Sequence, residues 1–233
     1  MGGGLDAILS TDGDGDRPLL TDATGQVIVG DVLGAETVVT PVSSNTGVEA
    51  SGRFAAVIRT KIGSPFVISG MASAPGKVVG YEANGGFLLG FAAQGPPGPL
   101  PPLATRDSLL PLIAPLSRAR AAGGLAALVA TEPPRFTASG RLEDIHPQAA
   151  RALLAGIDAT SDALDAFLTA QGEALAMIDR TDGLRLTLAS GRLMHMRPSG
   201  NAPEFHLYAE AESPDLAEHL LQAGMNWLQA AFD

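Results

Sequence analysis

Leu184-Arg185-Leu186-Thr187-Leu188-Ala189-Ser190-Gly191-Arg192-Leu193-Met194-His195-Met196 is a β-hairpin spelled out in residue types. Leucine alternates with polar residues over 184–188, Ser190-Gly191 supplies the turn, and Leu193 to Met196 returns along the partner strand. Further on, Phe205, Leu207 and Ala209 alternate with His206, Tyr208 and Glu210, which predicts a third strand of the same kind. A sheet with one apolar face must be covered, and three amphipathic helices are at hand. His146-Pro147 opens one that ends near Gly156, and Ser161 opens another whose Leu164, Phe167 and Leu168 share a face before Gly172. Ser213-Pro214 caps the last, with Leu216, Leu220, Leu221, Gly224, Trp227, Leu228 and Ala231 on its apolar side. The expected unit is an α+β domain, a small antiparallel sheet covered by helices.

Working back along the chain, Thr131 to Pro134 reads as a linker, which predicts two domains, 1–133 and 134–233. From Leu5 to about Phe91, short β-rich runs recur: Ala7 to Leu9, Val27 to Val29, Thr37 to Val42, Ala55 to Ile58, Val78 to Gly80, and Phe87 to Phe91. Helical candidates around Val48 and Met71 lie between them, so the first domain is expected to be α/β, a mixed sheet with helices. Gly95 to Pro102 is dense in glycine and proline and is expected to be a loop. After it, Asp107 or Ser108 can cap a helix towards Ala122, bent at Pro115.

The 233 residues are 45% hydrophobic, enough for two cores. A net charge of −10 argues against a nucleic-acid partner, whose backbone demands a basic face. Cysteine is absent, which removes disulfides, thiolate metal sites and cysteine nucleophiles. No apolar run approaches the ~18 residues of a membrane helix, and no basic stretch followed by an apolar one opens the chain. A soluble, cytoplasmic protein with no membrane partner is expected. The opening Met1-Gly2-Gly3-Gly4 reads as a trimmed start.

Three short constellations carry chemistry. In Asp12-Gly13-Asp14-Gly15-Asp16-Arg17, alternate positions share a face in an extended segment, so three carboxylates can converge on one hard cation. An EF-hand would need glycine at Arg17 and glutamate at Ala23. Few carboxylates beside an arginine suit Mg²⁺ shared with a phosphorylated ligand, the alternative being a solvated acidic turn. In Arg197-Pro198-Ser199-Gly200-Asn201-Ala202-Pro203, a guanidinium, a hydroxyl, an amide and backbone N–H groups are the donors a phosphate needs, in a segment expected to be too proline-rich for a strand. A hydrogen-bonded hairpin tip is the plainer reading. In Gly80-Tyr81-Glu82-Ala83-Asn84-Gly85-Gly86, a carboxylate and an amide two residues apart could bind sugar hydroxyls, or could form an ordinary turn.

In this order, and with Thr60-Lys61-Ile62-Gly63 between the first and the sugar loop, the segments resemble the α-D-phosphohexomutases, in particular bacterial phosphomannomutase/phosphoglucomutase. The resemblance covers the later half of that family, its third and fourth domains with the metal loop leading in. It implies an isomerase that donates phosphate from a phosphoserine to a hexose phosphate, mannose or glucose 1- or 6-phosphate, and takes phosphate back from the other position. By position, Asp12, Asp14 and Asp16 would ligate Mg²⁺, and Arg17 would lie beside the transferring phosphate. Lys61 would contact substrate and assist proton transfer, and Glu82 and Asn84 would bind sugar hydroxyls. Arg197, Ser199, Gly200 and Asn201 would hold the phosphate that is not reacting.

The family's serine loop, of the type Thr-Ala-Ser-His-Asn-Pro, is not found, and Ser43-Ser44-Asn45-Thr46 falls where the third domain has a structural segment. Turnover is therefore expected to require an amino-terminal partner half, with a non-catalytic sugar-phosphate and Mg²⁺ binding module, or a structural remnant, as alternatives. Other departures are Ser64 and Gly86 where histidines are usual, Asn84 for serine, Asn201-Ala202 for Thr-Glu, and His206 for an arginine. Only Gly34-Ala35-Glu36 separates Leu33 from Thr37, where the family generally has room for a helix.

Overall fold

Val38 and Val39 are neighbours in sequence, both fully buried, yet each packs into a different hydrophobic cluster. Successive side chains of a strand face opposite ways, so this strand is covered on both sides. The computed structural model describes residues 7–11, 18–22, 35–95, 98–159 and 161–232. Two compact units result, Met1–Pro133 and Pro134–Asp233.

The first unit begins with β1 (Ala7–Thr11) and β2 (Pro18–Asp22), an antiparallel pair in which Thr11 faces Pro18. Next come β3 (Thr37–Pro41), α1 (Gly47–Ala50), β4 (Ala56–Thr60), α2 (Ser64–Ser73), β5 (Val78–Tyr81) and β6 (Phe87–Leu89). Then follow β7 (Ala93–Gly95), β8 (Gly98–Leu100), β9 (Leu103–Asp107), α3 (Leu110–Ala122) and α4 (Leu125–Val129). The main sheet has the order β4-β3-β5-β6-β9; β3 pairs parallel with β4 and β5, β6 antiparallel with β5, and β9 antiparallel with β6. It is the expected mixed α/β sheet.

Helix α2 lies tightly on one face, where Val39, Val67, Val78 and Leu88 form the core with Ile58 and Met71. A Cβ at Gly80 would come within 2.7 Å of Val67 Cγ1, and one at Gly70 within 2.8 Å of Val39 Cγ1. Two missing side chains thus set the depth of the helix and place its first turn at the carboxyl end of β4. The opposite face is filled by Val38, Val79, Phe87 and Leu89 with Ala35 and Phe54.

Gly95 to Pro102 departs from the expected plain loop: β7 and β8 pair antiparallel with Gly95 opposite Gly98, and β9 starts at Leu103. Pro99 sits in a short two-stranded ribbon, where a missing N–H is cheap. Leu109, not Asp107 or Ser108 as expected, takes the N-cap position of α3, while Asp107 Oδ1 accepts the Leu109 and Leu110 N–H groups at 2.8 and 3.3 Å in the turn leading into it. That helix continues through Pro115. The expected strand at Val27 to Val29 lies outside the described residues.

In the second unit, β10 (Phe136–Leu142), α5 (Pro147–Ala159), α6 (Ser161–Ala170), β11 (Leu175–Asp179), β12 (Leu184–Leu188), β13 (Leu193–Pro198), β14 (Phe205–Ala211) and α7 (Pro214–Phe232) follow in turn. The sheet is antiparallel, with the order β10-β14-β13-β12-β11. Its apolar face, with Leu186, Met194, Met196, Phe205 and Leu207, forms a single core with α5, α6 and α7. Phe167 stacks on Trp227 at 4.8 Å, and Gly224 lets α7 approach, since a Cβ there would lie 2.6 Å from Leu207 and Met194. This is the α+β domain read from the hairpin, enlarged by two strands, β10 and β11, that alternation did not announce. Among the described residues no helix is long and apolar enough to cross a membrane.

Candidate functional site

Because β3, β4 and β5 are parallel, the segments that follow them leave the sheet at the same edge. Those segments are 42–46, Lys61–Gly63 and Glu82–Gly86. Ligands of α/β sheets bind outside the carboxyl ends of the strands, where neighbouring connections diverge. Here the order β4-β3-β5 makes β3 such a point.

The segment after β3 is structural. Thr40 Oγ1 donates to the Tyr81 carbonyl at 2.9 Å and lies 2.7 Å from the hydroxyl of Ser44, which is buried. Arg59 clamps the same turn: Nη1 donates to the carbonyls of Pro41 and Ser44 at 3.0 and 2.7 Å, and Nη2 to that of Asn45 at 2.9 Å. Its Nε and Nη2 form a bidentate pair with Glu49 at 2.8 and 2.7 Å. A buried serine in this setting holds a turn.

Lys61 is exposed at the end of β4, two residues before α2 opens at Gly63-Ser64-Pro65. Glu82 follows β5 and is only 6% exposed. Its turn closes on the backbone, with Glu82 N donating to Gly86 O at 2.8 Å, Gly85 N to Glu82 O at 2.9 Å, and Gly86 N to Asn84 Oδ1 at 3.2 Å. The Glu82 carboxylate is held separately: Ser64 Oγ donates to Oε2 at 2.5 Å, and Arg106 Nε, from β9, lies 3.3 Å from Oε2 and 2.9 Å from Ser64 Oγ. Lys61 and Glu82 thus share one edge of the sheet, and Asn84 stands exposed in the same turn as Glu82.

In the second unit, β13 extends through Pro198, with Arg197 paired to His206 and Pro198 to Phe205. The expectation that proline would keep this segment out of a strand is corrected; Pro198 is the last residue of its strand, where the ladder ends. Ser199 N donates to Glu204 O at 2.8 Å, so that N–H is committed to the turn. Ser199 Oγ lies 3.0 Å from Asn201 Oδ1, and no atom comes within 4 Å of where a Gly200 side chain would be. Arg197, Ser199, Gly200 and Asn201 therefore share one strand end with an open approach at the glycine. Arg197 Nε lies 3.5 Å from Asp182 Oδ2, and Gly183 packs against the base of Arg197, where any side chain would collide.

Beside Arg197 on the polar face of the sheet, His195 is buried, bonded to the Asp182 carbonyl at 2.6 Å and stacked on Tyr208. Burial holds its pKa below the usual 6.5, reinforced by Arg197 and Arg185 and opposed by Asp182. Burial also lowers His206, with Arg197 and Arg141 adding to the effect and Glu204 opposing it. A histidine depressed in the folded state costs nothing above its unfolded pKa, but below about pH 6.5 the unfolded chain takes up a proton that the folded one resists. Stability should therefore fall between pH 7 and pH 5.5, by at most about 1.4 kcal/mol per pH unit for His195 and by less for the better solvated His206. Urea unfolding across this range should show that decline, and His195→Gln should flatten it.

Asp12, Asp14, Asp16 and Arg17 lie outside the described residues. Their anchorage is described: they join Thr11 to Pro18, directly paired across the β1–β2 ladder. An all-carboxylate donor set on so short a connection suits a hard divalent cation. Among the described residues no group of three or more His, Cys, Asp or Glu could hold a metal.

The family model for phosphoglucomutase/phosphomannomutase, alpha/beta/alpha domain III, matches residues 21–136. The phosphomannomutase of Sinorhizobium fredii (strain NGR234) is 44% identical over 97% of this chain. The chain belongs to the α-D-phosphohexomutase family. It spans about half the length of the curated relatives it matches, 50% in that case. Among solved structures, a phosphoglucomutase/phosphomannomutase family protein from Burkholderia thailandensis has a TM-score of 0.68 at 16% identity, covering 97% of this chain and 47% of that one. The N-acetylphosphoglucosamine mutase of Aspergillus fumigatus, solved in complex with GlcNAc-6P and magnesium, has a TM-score of 0.60 at 15% identity, covering 97% of this chain and 49% of that one.

For this phosphohexomutase chain, sequence reasoning missed Ser64 and Arg106 as partners of Glu82. Ser64 had a signal, a Gly-Ser-Pro helix start three residues after Lys61. Arg106 had none, because it reaches Glu82 only through the pairing of β9 with β6.

Proposed function

We propose that this chain is the metal-binding and sugar-binding half of a phosphomannomutase/phosphoglucomutase-type enzyme, acting on mannose or glucose 1- or 6-phosphate. The observation that carries the reading is Lys61 and Glu82 at the carboxyl edge of parallel strands, with the Glu82 carboxylate buried and clamped. Glu82 and Asn84 offer acceptor and donor groups to sugar hydroxyls, and Lys61 contributes charge and a route for the hydroxyl proton. Arg197, Ser199, Gly200 and Asn201 hold the phosphate that is not reacting, while Arg17 lies beside the one that moves. Asp12, Asp14 and Asp16 would hold Mg²⁺, which supplies charge neutralisation at the transferring group. The magnesium in the Aspergillus relative's complex supports that assignment.

The reaction passes phosphate from a phosphoserine to the free hydroxyl of the hexose phosphate, then returns the other phosphate to the serine after the bisphosphate reorients. Residues of this chain position the sugar and stabilise charge, and those two effects supply most of the catalysis in phosphoryl transfer. Ser44 is buried and bound within its turn, which supports a phosphoserine supplied from outside this chain. Mixing this chain with an amino-terminal half of a phosphomannomutase carrying the serine loop, Mg²⁺, a trace of glucose 1,6-bisphosphate and mannose 1-phosphate should yield mannose 6-phosphate. At limiting Mg²⁺, Asp14→Asn should slow that turnover at least tenfold, since a charged ligand is lost. Equal rates at all Mg²⁺ concentrations would remove Asp14 from the metal site.

A further inference from the structure

The turn that carries Glu82 closes without its carboxylate. Backbone bonds between Glu82, Gly85 and Gly86 and the Asn84 side chain complete it. Even so, two distant elements converge on that carboxylate at the end of β5: the first residue of α2 through Ser64 Oγ, and β9 through Arg106. Burying a carboxylate beside a partly exposed guanidinium carries a desolvation cost that apolar side chains of similar volume would avoid. The fold nevertheless makes room for them. A Cβ at Gly86 would lie 2.9 Å from Arg106 Cδ and 3.2 Å from Cγ, so the arginine stem lies over the absent side chain.

Both polar contacts fall on Oε2, and Arg106 Nε reaches Ser64 Oγ as well as the carboxylate. The serine hydroxyl is thereby oriented, taking a hydrogen bond from the arginine and giving its own proton to the glutamate. We propose that Ser64 and Arg106 are positioning residues that hold Glu82 by Oε2, so that Oε1 is the oxygen offered to a hydroxyl of the bound hexose phosphate. This inference rests on the reading of the site given above. A carboxylate fixed in this way accepts from one direction, which makes the site selective for a sugar hydroxyl at that point over a bare phosphate.

The test titrates the full chain with mannose 1-phosphate and, separately, with inorganic phosphate, which has no sugar hydroxyl. Ser64→Ala and Arg106→Ala should each weaken mannose 1-phosphate binding about tenfold and leave inorganic phosphate unchanged. Introduced into Glu82→Gln, neither should cause a further loss, because both act through the carboxylate. Gly86→Ala removes no polar group yet displaces the arginine stem, and should weaken the sugar phosphate in the same selective way. Additive losses in the Glu82→Gln background, equal losses for both ligands, or no loss in folded variants would overturn the proposal. Absence of mannose 1-phosphate binding by the unsubstituted chain would overturn it together with the proposed function, whereas binding unaffected by these substitutions would overturn it alone.

Discussion

Arg197→Ala combined with Ser199→Ala is expected to lower hexose-phosphate affinity about a hundredfold while Mg²⁺ affinity stays nearly unchanged. A charge-assisted hydrogen bond and a hydroxyl contact to a phosphate together supply roughly 3 kcal/mol, and each 1.4 kcal/mol is a factor of ten. The effect should be confined to phosphate because Arg197 is set from below: Asp182 lies beside Nε and Gly183 supports its base, so removing the guanidinium leaves the strand pairing with β14 in place. Titration calorimetry with mannose 6-phosphate and with Mg²⁺ reads both quantities. Parallel loss of both affinities would mean misfolding of the chain instead of loss of a phosphate pocket.

Arg59→Ala should destabilise the first unit by about 3 kcal/mol, the largest stability effect expected from a single charged side chain here. The Arg59 side chain is 12% exposed, and its guanidinium donates to three carbonyls at the end of β3 and in the turn after it and forms a bidentate pair with Glu49. Truncation removes the donor of the Ser44 and Asn45 carbonyls, while Pro41 O keeps the Ser44 N–H, at the sheet edge that carries the proposed site. Arg59→Lys should recover less than half of the loss, because an ammonium cannot span the carboxylate and the carbonyls as a planar fork does. Urea denaturation of the two variants decides between this account and a purely local surface ion pair, for which both would unfold within about 0.5 kcal/mol of the unsubstituted chain.

What could be read from residue types was whatever repeats locally. Leu184, Leu186 and Leu188 alternate, and they enter the core on one face of β12 while Arg185 takes the other. The strands from Thr37, Ala56, Val78 and Phe87 follow β-branched and apolar runs, whereas their pairing, β3 parallel with β4 and β5 and β6 antiparallel to β5, is set by contacts distant in sequence. β10 escaped notice because Thr137, Ser139 and Arg141 leave only Phe136, Ala138, Gly140 and Leu142 for the inward face, a weak apolar signal. β11, Leu175 to Asp179, carries no alternation of hydrophobic and polar residues. Within the site, the types of Lys61, Glu82 and Asn84 suggested chemistry, but the clamp on Glu82 depends on Arg106 and on the empty place at Gly86, which are tertiary facts. Arg59 carried no sequence motif either, since its partners are mostly main-chain oxygens.

Titration of the full chain with mannose 1-phosphate in the presence of Mg²⁺, set beside inorganic phosphate under the same conditions, addresses the central claim directly. Saturable one-to-one binding of the sugar phosphate, at least tenfold tighter than inorganic phosphate, is the predicted result. Equal affinity for the two ligands, or no heat with either, would contradict the account.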